Sequence, residues 1–159
     1  MLGRAYDRLM PAPVTVLAIH IAKATRLPMR PVDTVYAEAG KGLVGDRYHG
    51  TRHRHVTVQS AESLAEAAET LGRPVDATGT RRNLTLSSGV VPARPGARLR
   101  IGEVLLEVVR VAAPCKLLDD SLGPGAMEAL RRGRGGAVCR VLEGGDIAVG
   151  DAVEITVPD

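Results

Sequence analysis

Ala137-Val138-Cys139-Arg140-Val141-Leu142-Glu143-Gly144-Gly145-Asp146-Ile147-Ala148-Val149-Gly150-Asp151-Ala152-Val153-Glu154-Ile155-Thr156-Val157 is the stretch that decides the fold class. Its three apolar, β-branched runs, 137–142, 147–149 and 153–157, are cut by Gly-Gly and Gly-Asp turns, which predicts a meander of short strands. Upstream the same grammar repeats. Val104–Val111 and Arg98–Ile101 flank Gly102, and Asn83–Leu86, Val56–Val58, Thr34–Ala39 and Val14–Ile21 are further strand candidates. Two segments break the pattern. Leu64, Ala67, Ala68 and Leu71 recur at helical spacing between an N-capping Ser60 and Gly72, predicting a helix over 60–71. Pro124 and Gly133 bracket a second, shorter helix that turns Met127 and Leu130 inward. The expectation is a mainly β (α+β) fold, a closed or half-closed barrel with a few short peripheral helices. Residues 1–13 are a lead-in, and 14–159 form a single domain.

Composition narrows what such a barrel contains. The 159 residues include no Phe, no Trp and three Tyr, so Val, Leu, Ile and Ala must fill the core. The net charge of +3 is carried mainly by arginine, whose planar fork suits carboxylate or phosphate, although base composition of the genome is its ordinary explanation. The charge is too modest to demand nucleic acid. Met1–Ala12 carries Arg4, Asp7 and Arg8 in place of an apolar signal core, and no apolar run approaches the roughly 20 residues of a membrane span. A soluble protein of a reducing cytoplasm is expected, with both cysteines free, while a Cys115–Cys139 disulfide stays open on sequence alone.

The candidate chemistry centres on Cys115. It follows the strand candidate Val104–Val111, and Pro114 blocks continuation of the ladder, so the thiol leaves the sheet at its rim. A thiolate there can be a nucleophile or a soft-metal ligand; the plain alternative is an inert buried cysteine, the reading that suits Cys139 in mid-strand. Asp46 and Arg47, in Gly42-Leu43-Val44-Gly45-Asp46-Arg47-Tyr48-His49, can organise a pocket rim or form an ordinary surface pair. Arg81-Arg82-Asn83 sets two guanidinium groups and an amide before a strand, a donor-rich edge for phosphate or a polar heterocycle, or a solvated turn. His49, His53 and His55 crowd together without completing a zinc pattern and are read as loop histidines. Arg131-Arg132-Gly133-Arg134-Gly135-Gly136 is a single RGG-like copy in a chain poor in aromatics, better explained as a helix end running into a turn.

Taken in order, these pieces resemble a known family. Met29 and Pro31, then Gly40-Lys41-Gly42-Leu43-Val44-Gly45-Asp46-Arg47-Tyr48, Arg81-Arg82-Asn83-Leu84, Gly102, Pro114-Cys115, Arg134-Gly135-Gly136 and the closing Val141–Asp151 run are similar to a stand-alone MOSC domain, named for the C-terminal domain of molybdenum cofactor sulfurases. The similarity spans about residues 14 to 157. It implies a β-rich barrel-like fold and either molybdenum cofactor (molybdopterin) binding or sulfur carriage. Cys115 would then be the metal ligand or the sulfur carrier. Arg81, Arg82 and Asn83 would hold the pterin or its phosphate, Asp46 and Arg47 would shape the pocket near the thiol, and Arg134 with Gly135 and Gly136 would close its edge. The resemblance implies reduction of N-hydroxylated compounds with electrons from a separate reductase. The alternatives are a persulfide carrier on Cys115 supplied by a cysteine desulfurase, and a basic non-catalytic binding module. The chain as read carries neither a desulfurase nor an iron–sulfur domain, so the expected partners are an electron-donor reductase or a cysteine desulfurase, and a small-molecule substrate. Nucleic acid and membrane are not expected, and a homodimer is compatible with the reading.

Overall fold

The structure, a computed structural model, describes residues 13–159. The expected lead-in over 1–13 therefore lies, residue 13 apart, outside the described residues. In chain order the elements are β1 (Val16–Ile21), β2 (Arg30–Val32), β3 (Thr34–Glu38), β4 (Gly42–Leu43), β5 (Val56–Ser60), α1 (Ala61–Leu71), β6 (Leu84–Leu86), β7 (Arg98–Ile101), β8 (Val104–Val111), α2 (Leu117–Leu122), α3 (Ala126–Ala129), β9 (Ala137–Glu143), β10 (Gly145–Ala148) and β11 (Glu154–Thr156). Eight strands form one curled sheet in the order β11-β7-β8-β9-β5-β6-β1-β2, and β10-β3-β4 form a second, three-stranded sheet. Every pair is antiparallel except β5 with β6, whose parallel pairing requires the crossover that α1 supplies.

The sheet curls far enough to bring its ends together. Thr15 bridges Ala152, and Val16 N–H donates to the Asp151 carbonyl at 2.9 Å while Gly150 N–H donates to Val16 at 2.8 Å. These bonds tie the start of β1 to the segment entering β11, which makes the architecture a half-barrel of mostly β structure with short helices on its periphery. Ile19, Leu43, Leu84, Leu99, Leu106 and Ile147 fill the interior from both sheets, the aliphatic core expected of a chain without Phe or Trp. A smaller cluster joins Leu64 and Ala67 of α1 to Leu118 of α2 and to Ala126 and Ala129 of α3. Helix α1 starts and stops where the sequence predicts: the Ser60 hydroxyl accepts from Ser63 N–H, and Gly72, at φ 80°, closes the last turn on the Ala68 carbonyl.

The structure departs from the sequence expectations in four places. The C-terminal strands are not a meander: β10 pairs with β3, and β11 with β7. The Gly144-Gly145 break is a sheet switch and not a hairpin turn, because a methyl group on Gly144 would lie 2.7 Å from the Ala37 carbonyl oxygen. Only glycine lets the chain cross that close to β3. Strands β2 and β4 escape the pattern, β2 because Pro31 suits it only to the sheet edge where it lies. Helix α2 also escapes it, being six residues long without a side-chain cap. The second predicted helix shrinks to α3, where Ala126, Ala129 and the following Leu130 are buried but Met127 is half-buried. No helix among the described residues is long and apolar enough to cross a membrane.

Candidate functional site

Three separate stretches converge at one end of the half-barrel. The first is the loop after β4, which Asp46 folds onto the end of β1. Its carboxylate accepts Ala22 N–H at 3.1 Å and Tyr48 N–H at 3.3 Å, and Arg47 N–H returns a bond to the Ala22 carbonyl at 2.7 Å. The Asp46 side chain is fully buried and forms an ion pair with Arg47 at 3.3 Å. Arg47 then reaches across the site, donating to Met29 Sδ at 3.2 Å and to the Arg81 carbonyl at 3.2 Å.

The second stretch leads into β6. Arg81 is a non-glycine residue held at φ 62°, a left-handed conformation that costs on the order of 1–2 kcal/mol and marks a position fixed by its surroundings. Its side chain donates to the Leu27 carbonyl at 2.8 Å, and burial, reinforced by the neighbouring Arg47 charge, pushes its guanidinium below the usual range. Arg82 is 7% exposed and points the other way, donating through Nε to the Gly135 carbonyl at 3.0 Å and through Nη2 to the Ala112 carbonyl at 3.2 Å. No carboxylate pairs with it among the described residues. Burial pushes its guanidinium down to about 10, with the nearby Arg54 charge acting in the same direction and Cys115 opposing them.

The third stretch is Pro114-Cys115-Lys116 between β8 and α2. Cys115 is an exposed free thiol, whereas Cys139 is free and buried. Ser121 of α2 donates to the Gly79 carbonyl at 2.8 Å, which draws α2 against the segment carrying Arg81. Between these elements opens a cavity of about 450 Å³ lined by Arg47, Tyr48, Arg81, Leu117, Asp120 and Ser121. Tyr48 presents one ring to two cations, with the guanidinium carbons of Arg47 and Arg54 each 4.4 Å from its centroid. Arg54 Nε is buried without a hydrogen-bond partner.

The expected site residues thus separate. Asp46, Arg47, Arg81, Arg82 and Cys115 gather around this end of the molecule. Asn83 does not present itself to a ligand: it is fully buried, its Oδ1 accepts Thr57 N–H at 3.0 Å and Thr57 O–H at 3.1 Å, and its Nδ2 donates to the His20 carbonyl at 3.1 Å. It clasps β1 and β5 to the start of β6, behind Arg82. Arg134 also turns away, donating to Thr70 and the Ala129 carbonyl and pairing with Glu66 of α1 at 3.7 Å. In its place the Gly135 carbonyl closes the edge by holding Arg82.

The histidines stand apart from the cavity. His49 pairs with Glu38 at 3.1 Å, and His55 cross-links the barrel, Nδ1 accepting Val141 N–H at 3.0 Å and Nε2 donating to the Thr51 carbonyl at 2.9 Å. No three His, Cys, Asp or Glu side chains converge as a metal cage among the described residues. Tyr48 and Arg54 are site residues that the sequence expectations do not include. The Arg-Tyr pair at 47–48 was a signal for the first, while Arg54 lay hidden among the histidines.

Comparison with known proteins follows the same outline. The MOSC domain family model matches residues 45–154. Among solved structures the chain is similar to the YuaD protein of Bacillus subtilis, at TM-score 0.80 and 18% identity over 93% of this chain and 98% of that one. It is also similar to YiiM from Geobacillus stearothermophilus, at TM-score 0.70 and 20% identity over 91% and 76% of the two chains. YiiM from Escherichia coli follows at TM-score 0.66 and 19% identity over 94% and 71%. At such identities the likeness establishes the fold. Curated protein sequences give no match.

Proposed function

Because the chain belongs to the MOSC domain family, which is associated with the molybdenum cofactor, we propose that it binds this cofactor with Cys115 as the protein ligand to the metal and reduces N-hydroxylated compounds. Arg82 carries the reading. It is a buried cation that meets only carbonyl oxygens, one of them Ala112 in the strand end that leads to Cys115. A buried charge without a counter-charge is unfavourable, and an anion arriving beside it removes that penalty. Arg54, with a buried unpartnered Nε, presents the same unmet demand nearby.

The donor set suits a group that is both anionic and sulfur-rich. Arg47 and Arg81 line the cavity and would take the phosphate and pterin oxygens, with Arg54 behind Tyr48 adding positive potential. Cys115 would supply a soft sulfur ligand at the rim, and a cofactor that brings its own dithiolene sulfurs needs no cage of protein ligands. Asp46 and Asn83 act behind these groups, Asp46 by holding the Arg47 loop against β1 and Asn83 by fixing the start of β6. The chemistry such a cofactor supplies is two-electron reduction, in which N–OH, two electrons from an external reductase and two protons give N–H and water.

A second reading draws on the exposure of the Cys115 thiol, which leaves it open to a partner protein. On that reading Cys115 carries a persulfide from a cysteine desulfurase, and the surrounding arginines stabilise its negative charge. Molybdenum analysis separates the two. Protein produced in a cofactor-making host and purified anaerobically should hold near-stoichiometric molybdenum, and Cys115→Ala should hold little. Absence of metal, with a mass gain of about 32 Da after treatment with a desulfurase and cysteine, would transfer the role to sulfur carriage. Absence of both would sink both readings.

A further inference from the structure

A second cavity, of about 540 Å³, opens beside the segment that leads into Cys115. Pro114 lies in its wall, whereas Leu117 lies in the wall of the arginine-lined cavity, so the chain passes from one chamber to the other through Cys115 and Lys116. One wall is the end of β8 and its continuation, Val111 to Pro114, and the other is the turn from Leu130 to Gly135. Arg82 joins the two walls from within, bonding the Ala112 carbonyl on one and the Gly135 carbonyl on the other. The chamber is therefore braced, and its size is that of a small-molecule site.

Its chemistry differs from that of its neighbour. The walls are aliphatic, from Val111, Ala113, Pro114 and Leu130, and the charged lining residues are Arg131 and Arg132, with no acidic residue in the lining. Arg131 is paired with Glu128 at 2.9 Å. Arg132 has no ion pair among the described residues, is exposed, and is held at φ 64°, a conformation that a side-chain-bearing residue rarely adopts. A strained, unpaired cation at the mouth of an aliphatic chamber is complementary to a small molecule with an apolar body and an anionic end.

We infer that this chamber is the substrate site, and that the preferred substrates are small N-hydroxylated compounds whose apolar body also bears a carboxylate or phosphate, placed by Arg132. The inference rests on the reductase reading for the N-hydroxyl group, while the preference for an apolar anion stands on the cavity itself. In the reaction the N–O bond breaks, its oxygen leaves as water, and the two electrons come from the external reductase, with two protons from solvent.

The test has two arms on the full chain. In the first, benzoate and its neutral analogue benzamide are titrated into the protein while backbone amide chemical shifts are followed. Benzoate should bind about tenfold more tightly, with shifts concentrated at 111–113 and 130–135. Arg132→Asn, which keeps a residue tolerant of positive φ, should abolish the preference, and Arg132→Lys should restore part of it. Ala113→Leu, which fills the chamber, should weaken both probes. In the second arm, turnover of 4-(hydroxyamino)benzoate and phenylhydroxylamine is compared with reduced benzyl viologen as donor. The kcat/KM ratio should favour the anion about tenfold through KM and collapse in Arg132→Asn. Equal binding of benzoate and benzamide, shifts centred elsewhere, or a preference that survives Arg132→Asn would overturn the assignment. Molybdenum-free, inactive protein that still prefers benzoate would overturn the reductase reading alone and leave the anion site standing.

Discussion

At the scale of single residues, the two cysteines show how burial decides reactivity. Cys139 faces the core between Val138 and Val141, and burial pushes its thiol up to about 12, so it stays protonated and shielded at neutral pH. Cys115 is exposed on the rim. Native protein should therefore react with one equivalent of a thiol reagent such as DTNB at pH 8, and with two after unfolding; two fast equivalents in the native state would contradict the burial of Cys139. His20 and His55 follow the opposite rule for a base. Burial is the leading cause that lowers both, and Asp76 opposes it at His20. The unfolded chain then binds a proton near 6.5 while the folded chain resists until lower pH, so this stabilisation is present above 6.5 and is lost as pH falls through the folded values. Urea midpoints should drop between pH 7.5 and pH 5.5, and His20→Gln should flatten that slope. An unchanged slope in the variant would assign the acid sensitivity to other groups.

At the scale of elements, the fold depends on close backbone approaches that side chains forbid. Strand β9 begins after Gly136, where an added methyl would fall 1.9 Å from the Val58 carbonyl oxygen of β5. At Gly102, in the β7–β8 turn, φ is 59° but nothing lies within 4 Å of an added methyl. Gly102→Ala should cost about 1 kcal/mol of backbone strain, whereas Gly136→Ala should cost more than about 3 kcal/mol or prevent folding, as judged by urea unfolding. Equal costs would mean that β5 and β9 can part without penalty. The same distinction explains what the sequence discloses. The strands β7 and β8 and helix α1 are legible because alternation, β-branching and caps are local. The partner of β10 is not, because Gly144 reports only that something comes close and not that it is Ala37 of β3. The site divides along the same line. Cys115, Arg47, Arg81 and Arg82 are legible as residue types at chain breaks. The engagement of Asn83 by Thr57 and His20, the turning of Arg134 to Glu66, and the Arg47–Tyr48–Arg54 stack follow from tertiary packing, which spacing does not encode.

At the scale of the whole molecule, a net charge of +3 is less informative than where the cations lack partners. Around the sheet and outer helices several arginines are matched: Arg98 and Arg140 with Glu107, Arg100 with Glu143, Arg134 with Glu66. At the Cys115 end Arg47 has Asp46, but Arg54, Arg81 and Arg82 have no ion pair among the described residues. At this end buried positive charge is left uncompensated, where low-dielectric walls strengthen it, and the folded state holds repulsion among neighbouring guanidinium groups that the unfolded chain relaxes. An anion that enters this basin binds the folded state and not the unfolded one, so it must raise stability by mass action. Inorganic phosphate at 100 times its Kd should add about 2.7 kcal/mol, a rise in melting temperature of roughly 5–10 °C for a domain of this size. Sodium chloride at matched ionic strength should not reproduce it, because screening acts on the exposed outer pairs and weakens them. Arg54→Gln, which removes one unpaired cation beside Tyr48 without touching the carbonyl bonds of Arg82, should lower phosphate affinity severalfold. Equal stabilisation by chloride and phosphate in differential scanning fluorimetry, or full retention of the phosphate effect in Arg54→Gln, would show that the basin does not select multivalent anions.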